Sequence, residues 1–258
     1  MDRLRVAVPV STLWTSPEAP RPVDAPAVAD EPDALAWLAA LDAHVGDDES
    51  GDGRLGLHGR VHTQVVAGEP VLALGDPRVD GWLEVVCPWQ PHHDDVRGYR
   101  GWLRAAHLIT DDTSGAEVEG PPDESWAADT APAPGETEPQ RADLALAREH
   151  LGLPYLWGGL SPLGLDCSGL VHLVHRELGR IVPRDADDQQ DATRPVPLDE
   201  VEPGDLYFFA HPGRPAHHVG IVVASGRMIH APEGGGIVEE DLGADRLATL
   251  TAAGRLPA

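Results

Sequence analysis

Residues 111–140 constrain the fold of this 258-residue chain most strongly, because they divide it into two parts. The stretch consists mainly of Pro, Gly, Ala, Asp and Glu, and Trp126 is its one aromatic residue. Segments of this composition bury little apolar surface and behave as extended linkers. The sequence therefore predicts two domains, at residues 1–110 and 141–258, joined by an acidic linker.

The first domain has the pattern of a small β structure. Between Gly59 and Leu108, short strand-like runs alternate with turn residues. These runs are Arg60–Val66, Pro70–Leu74, Gly81–Val86 and Tyr99–Leu103. Residues 4–14 also alternate as a strand does, and residues 34–45 have helical spacing. Short strands with few helices predict an all-β barrel of about 60 to 70 residues.

The second domain places helices before strands. Residues 141–151 and a segment that begins near Cys167 have the apolar spacing of helices. Strand-like runs follow at 205–210, 217–223 and 227–231, and residues 236–240 form a candidate for a further strand. This order predicts an α+β domain and not a series of βαβ units.

Cys167 lies on the first turn of its predicted helix, in the run Leu165-Asp166-Cys167-Ser168-Gly169-Leu170. Unpaired backbone N–H groups and the helix dipole favour a thiolate at such a position, which suits a nucleophile. The alternative is that Cys167 is a small buried hydrophobic residue, as most free cysteines are.

A predicted hairpin downstream carries His218 and His230, which are candidates for a base and for the group that orients it. With a two-residue turn at Ser225-Gly226, the two rings would project from opposite faces. With a three-residue loop that ends in a left-handed Gly226, Gly220 pairs with His230 and both rings share one face. We favour the three-residue loop, in which Gly220 leaves room between the rings.

Two other interpretations of the histidines remain open. Histidines on a hairpin are often ordinary surface or interface residues. A metal site is the second alternative, because His217-His218 and His92-His93 are adjacent pairs. Adjacent strand residues point to opposite faces and chelate poorly, so we expect neither a metal nor a cofactor. The absence of Lys and Asn excludes a Schiff-base lysine and a Cys-His-Asn triad.

Charge and cysteine content limit the partners and the compartment. The net charge of −24 argues against nucleic acid and anionic membranes as partners. No run approaches the ~18 apolar residues of a membrane span, and the first residues do not form a leader peptide. Cys87 and Cys167 lie far apart, which does not suggest a disulfide framework. Together these features predict a cytoplasmic protein.

Several motifs, in this order, resemble the NlpC-type papain-like cysteine peptidases over residues 141–258. They are Pro154-Tyr155-Leu156-Trp157-Gly158-Gly159, Leu165–Leu170, Pro183-Arg184-Asp185, Gly204-Asp205-Leu206, His218–Val223 and Met228-Ile229-His230-Ala231. The resemblance implies a papain-like α+β fold. It also implies that Cys167 is the nucleophile, His218 the base and His230 the orienting third residue.

The same resemblance suggests how a substrate is held. Tyr155 is similar to a family tyrosine that lines the site, and Asp166 and Ser168 to groups that hold a D-glutamyl residue. Asp185 is counted among the substrate-binding residues, although Ala186 stands where close relatives have Ser. Asp166 could instead cap the Cys167 helix, a role that its position permits.

The first domain carries a second resemblance, through Val10–Pro17 and Arg97–Trp102. These runs are similar to cytoplasmic γ-D-glutamyl-L-diamino-acid endopeptidases of cell-wall peptide recycling. There an SH3-like domain covers the cleft and admits short peptides with a free N-terminal L-Ala. Tyr99 and Glu69 correspond to the residues that contact the substrate ammonium. Alternatively, Tyr99 belongs to the barrel core and Glu69 is a turn residue.

The sequence thus predicts a monomeric cysteine endopeptidase that acts on short murein peptides. Three alternatives remain. A secreted hydrolase could act on intact cell wall, with the first domain as a wall anchor. A non-catalytic peptide-binding protein could use the same fold, and so could an acyl transferase.

Overall fold

The computed structural model describes residues 2–44, 51–110 and 141–257, and these form two compact units. One unit contains residues 2–110 of the described chain together with Leu156–Leu165, and is called the N-terminal unit. The other contains residues 141–155 and 166–257, and is called the C-terminal unit. The predicted linker at 111–140 lies outside the described residues. In the described ranges no helix is long and apolar enough to cross a membrane.

The N-terminal unit is built on a seven-stranded antiparallel sheet with the order β3-β2-β6-β5-β4-β1-β7. Its strands are β1 (Arg3–Val6), β2 (Val10–Trp14), β3 (Val61–Val66), β4 (Pro70–Ala73), β5 (Trp82–Cys87), β6 (Tyr99–Arg104) and β7 (Leu108–Thr110). Two helices accompany the sheet, α1 (Ala25–Val28) and α2 (Ala34–Asp42). The predicted strand at 4–14 is interrupted before Val10. The other predicted strands match within about two residues, the usual scatter of element ends.

The C-terminal unit has the predicted α+β order. Its helices are α3 (Ala142–Glu149), α4 (Cys167–Glu177), α5 (Ala186–Asp191) and α6 (Ala244–Thr249). The strands are β10 (Arg194–Val196), β11 (Leu206–Ala210), β12 (Ala216–Ala224), β13 (Arg227–His230), β14 (Val238–Asp241) and β15 (Leu250–Arg255). They form one sheet in the order β10-β15-β11-β12-β13-β14. Strand β15, next to β11, was not predicted, because its residues Leu250–Arg255 lack a clear alternation.

Residues 156–165, predicted to belong with 141–258, pack instead with the N-terminal unit. They form a small hairpin of β8 (Leu160–Ser161) and β9 (Gly164–Leu165). Leu156 is fully buried in the same apolar cluster as Trp14 and Trp37. This hairpin therefore gains its core contacts from the N-terminal unit, although Cys167 follows it by two residues.

Gln64 of β3 holds this hairpin by side-chain hydrogen bonds. Its Oε1 accepts from the backbone N–H of Leu160 at 3.1 Å and from the hydroxyl of Ser161 at 2.9 Å. Both Gln64 and Ser161 are buried, so neither donor would find water if the amide were lost.

Replacing Gln64 with Leu should lower the free energy of unfolding by about 2 kcal/mol, because two buried donors lose their acceptor. Ser161→Ala removes one donor and leaves the bond from Leu160 intact, so its effect should be smaller. Urea unfolding monitored by tryptophan fluorescence measures both values. Equal midpoints for Gln64→Leu and the wild type would contradict the role given to Gln64.

Two histidines of α4 are buried and uncharged. Burial lowers the pKa of His172 to about 3 and that of His175 to about 4. His172 Nδ1 is hydrogen-bonded to the carbonyl of Val182 at 2.8 Å. Among the described residues, neither ring nitrogen of His175 has a hydrogen-bond partner.

These histidines should make the protein less stable as the pH falls below about 6.5, the pKa of an unfolded histidine. Below that pH the unfolded chain binds protons that the folded chain excludes, so stability falls towards pH 4. The cost is about 1.4 kcal/mol per histidine for each pH unit. His175→Phe should show a flatter loss between pH 6.5 and 4 in urea unfolding. Parallel curves for the variant and the wild type would contradict this expectation.

Candidate active site

Cys167 is the first residue of α4, as predicted, and its side chain is buried. Asp166 is the N-cap residue, and its Oδ1 accepts the backbone N–H of Gly169 at 2.6 Å. The capping role that the sequence left open for Asp166 is therefore present. The cap begins the helix at the cysteine and fixes the direction of the thiol.

Strand β12 lies next to the thiol. The backbone N–H groups of Val219 and Ser168 both act on the Cys167 sulfur and lower the pKa of its thiol. Val219 directly follows His218, so the predicted base lies on the strand that packs against α4. Helix α4 and strand β12 pack against each other, which holds this arrangement.

The rings of His218 and His230 contact each other directly. Nε2 of His218 lies 2.8 Å from Nδ1 of His230, and the two rings meet edge to face at 84°. Gly220 makes this approach possible, because a Cβ there would lie 3.2 Å from Cβ of His230 and 2.5 Å from Sδ of Met228. The structure thus places both histidines on one face, as predicted.

The turn of this hairpin differs from the prediction. Ala224 pairs with Arg227, so Ser225-Gly226 is a two-residue turn and not part of a three-residue loop. An irregularity between Val222 and Ala224 adds one residue to β12, and Ile221 then pairs with Ile229. Because a bulge shifts the alternation of a strand by one residue, it returns the histidines to the same face.

The resting charges of the site also differ from the prediction. Burial raises the pKa of Cys167 to about 12, and the carboxylate of Asp166 adds to this effect. The hydrogen bonds from Val219 and Ser168 act in the opposite direction but are outweighed. A thiolate stabilised by the helix start is therefore the wrong resting state, because desolvation of the sulfur dominates.

His218 is uncharged for the same reason. Burial lowers the pKa of His218 to about 2, and nearby Arg246, His230 and His217 lower it further. The Cys167 thiol and the His218 imidazole are thus both neutral at rest. A neutral imidazole can accept a proton, which is the property that a general base requires.

Tyr155 is buried close to the thiol. Burial and the nearby Asp166 and Cys167 raise its pKa well above the ordinary value, so the phenol stays protonated. The backbone N–H of Tyr155 donates to the carbonyl of Gly235 at 2.8 Å, which ties the residue to the segment before β14.

Asp166 and Ser168 lie together with Arg184, a residue to which the sequence analysis gave no role. The guanidinium of Arg184 donates to the two carboxylate oxygens of Asp166 at 2.9 and 2.7 Å and to Oγ of Ser168 at 3.0 Å. Arg184 is 1% exposed. It balances the buried charge of Asp166, and its place in the Pro183-Arg184-Asp185 motif was the available signal.

The remaining predicted substrate residues are distributed over both units. Asp185 is the N-cap residue of α5 in the C-terminal unit. Glu69 and Tyr99 lie in the N-terminal unit, and both are buried. Oε1 of Glu69 accepts from the side chain of Gln90 at 2.7 Å. The ring of Tyr99 lies against His92, with centroids 4.2 Å apart.

Glu240 of β14 is a further group at the site that the sequence analysis missed. Its Oε1 lies 2.9 Å from Nε2 of His230. Residues 236–240 were predicted as a strand, but the sequence alone did not reveal its register with β13. That register decides which of its acidic residues reaches His230.

Comparisons with known proteins agree with this geometry. Residues 152–251 match the model of the NlpC/P60 family. The γ-D-glutamyl-L-lysine dipeptidyl-peptidase of Bacillus subtilis is 31% identical and aligns over 89% of this chain and 90% of its own length. An enzyme of the same name from Bacillus cereus is 26% identical over 88% of this chain and 82% of its own length.

A solved structure agrees at the level of the fold. The crystal structure of an NlpC/P60 family protein from Bacillus cereus has a TM-score of 0.80, at 21% identity, and covers 99% of this chain and 100% of its own. The buried cysteine at a helix start, the paired histidines and the full-length similarity lead to one assignment. The chain belongs to the NlpC/P60 family of cysteine peptidases.

Proposed function

We propose that this protein is a cytoplasmic, monomeric cysteine endopeptidase that hydrolyses the γ-D-glutamyl-L-diamino-acid bond of short murein peptides with a free N-terminal L-Ala. The contact of His218 with His230, on a hairpin whose first strand packs against the helix that begins at Cys167, carries the catalytic part of this proposal. Similarity along nearly the full chain to two γ-D-glutamyl-L-lysine dipeptidyl-peptidases supports the substrate.

In the proposed mechanism, Cys167 and His218 react from their neutral forms. The sulfur attacks the γ-carbonyl carbon of D-Glu while His218 accepts the thiol proton. The C–N bond then breaks, His218 returns the proton to the leaving amine of the diamino acid, and an acyl-enzyme remains. Water attacks the acyl-enzyme with His218 again as base, which releases the γ-D-Glu carboxylate and restores the thiol.

Because the site is buried, the proton should move from Cys167 to His218 while the sulfur attacks the carbonyl, and not beforehand. An ion pair of thiolate and imidazolium would place two charges at a site where burial disfavours both of them. In the tetrahedral intermediate a negative charge develops on the former carbonyl oxygen. The imidazolium then has a counter-charge in the substrate itself.

Substrate recognition is the second part of the proposal. Tyr155, Asp166, Ser168 and Asp185 would contact the D-glutamyl residue from the C-terminal unit. Tyr99 and Glu69 would recognise the substrate ammonium from an SH3-like N-terminal unit. The buried carboxylate of Glu69 and the aromatic ring of Tyr99 are groups that attract a cation.

The neutral resting state predicts a steep pH dependence for alkylation of Cys167. Without substrate, labelling by iodoacetamide should rise about tenfold per pH unit from pH 6 to 9, because the thiolate fraction grows with pH. Mass spectrometry of the labelled peptide measures the rate. Cys167→Ala serves as the control for labelling at Cys87. A rate independent of pH between 5 and 8 would instead indicate a preformed thiolate.

The substrate proposal predicts cleavage of L-Ala-γ-D-Glu-L-Lys or its diaminopimelate counterpart between D-Glu and the diamino acid. N-acetylation of the alanine should reduce kcat/KM by about 100-fold, because an ammonium bound by charged groups is lost. Chromatography of the products measures both rates, and Cys167→Ala should be inactive.

Each other outcome rejects a defined part of this proposal. Equal cleavage of the free and acetylated peptides would reject recognition of the ammonium. Binding without cleavage by the wild-type protein would reject the catalytic assignment and favour a peptide-binding protein. Cleavage of intact cell wall at the rate of the short peptide would favour a wall hydrolase.

A further inference from the structure

A carboxylate stands at the far end of the paired histidines. Nε2 of His230 lies 2.9 Å from Oε1 of Glu240, and Nδ1 of the same ring lies 2.8 Å from Nε2 of His218. His230 is fully buried, whereas the side chain of Glu240 is 49% exposed. The three side chains therefore form a hydrogen-bonded chain from the base to the surface.

Strand register explains why Glu240 and not a neighbouring acid reaches His230. His230 pairs with Val238, and Glu240 pairs with Met228. Alternate residues of a strand share a face, so Glu240 lies diagonally across from His230 on one side of the sheet. Glu239 points differently and forms ion pairs with Arg148 at 2.8 Å and Arg227 at 3.1 Å.

The carboxylate determines which nitrogen of each ring carries its proton. An ionised carboxylate accepts hydrogen bonds and donates none, so Nε2 of His230 must donate. Neutral His230 then accepts at Nδ1, and the matching donor is Nε2–H of His218. This leaves Nδ1 of His218 without a proton, as the basic nitrogen of the ring.

We propose that Glu240 is a positioning residue that fixes the tautomers of His230 and His218, so that Nδ1 of His218 is free to accept the thiol proton. The proposal rests on the proposed roles of Cys167 and His218. Without the carboxylate, His230 could hold its proton on Nδ1. His230 would then donate to Nε2 of His218, so that the proton of His218 would lie on Nδ1. That nitrogen could then no longer accept the thiol proton.

Glu240 also supports the charged state of the base during the reaction. When His218 accepts a proton, its Nε2–H bond to His230 strengthens, and His230 in turn donates more strongly to Glu240. The hydrogen bond that His230 donates to Glu240 raises the pKa of His230 against the larger, opposite effect of burial. The other charged or titratable groups that act on these rings are Arg246 of α6 and His217 of β12.

Kinetics of Glu240→Ala and Glu240→Gln on L-Ala-γ-D-Glu-L-Lys test the proposal. The Ala variant should lose about tenfold or more in kcat, with KM changed by less than about threefold, because proton transfer is impaired and binding is not. The Gln variant should retain more activity, since its amide oxygen can still accept from His230. Glu239→Gln, one residue away, removes a charge without touching His230 and should match the wild type.

The pH profile separates positioning from a general loss of structure. The acid limb of kcat/KM, which here reports protonation of His230, should move to lower pH in Glu240→Ala, because the carboxylate no longer raises the pKa of that ring. Glu239→Gln should leave the limb in place. A variant that is merely less folded would lose amplitude at every pH without moving the limb.

Nitrogen-15 NMR of the imidazole rings gives a readout that does not need turnover. In Cys167→Ala, His230 should show the signature of a neutral ring protonated at Nε2, and adding Glu240→Ala should change that signature. This spectrum separates failure of the positioning role from failure of the proposed peptidase function. An unchanged spectrum, or a kcat of Glu240→Ala within twofold of the wild type, would overturn the assignment of Glu240.

Discussion

The hydrogen bond between His218 and His230 is the interaction on which the site depends. It requires two strands in one register, a bulge near Val223 and a position without a side chain at Gly220. A hairpin with ordinary surface histidines would need none of these three features. The bond also orients the ring of His218, which burial keeps uncharged. The same buried hairpin therefore determines both the position of this ring and its protonation state.

Desolvation affects the pKa of the Cys167 thiol more than the neighbouring backbone N–H groups do. The N–H group of Ser168, at the start of α4, and that of Val219, in β12, both lower this pKa. Their effect on the thiol is smaller than the cost of holding a charge in a buried place. In the proposed mechanism the thiol and the imidazole therefore remain neutral until substrate binds. Charge develops only when the sulfur attacks the substrate carbonyl.

The sequence predicted the cysteine and the paired histidines better than the side chains that contact them. Cys167, His218 and His230 lie in short motifs whose local spacing predicts the helix start and the hairpin. Arg184 and Glu240 act through partners that are 18 and 10 residues away, and only strand register and helix packing bring them together. The bulge in β12 likewise could not be predicted from the sequence. The prediction that both histidines share one face was correct, but the predicted three-residue turn was wrong.

The hairpin at 156–165 belongs to the N-terminal unit, although the residues on both sides of it belong to the C-terminal unit. The chain leaves the C-terminal unit after Tyr155 and returns to it at Asp166, directly before the nucleophile. Leu156 then packs in a cluster with Trp14, Trp37 and Val61 of the N-terminal unit, which are 95 to 142 positions earlier in the sequence. Exchange of residues 1–110 for another domain would therefore remove the core contacts of Leu156, in the segment that directly precedes the nucleophile.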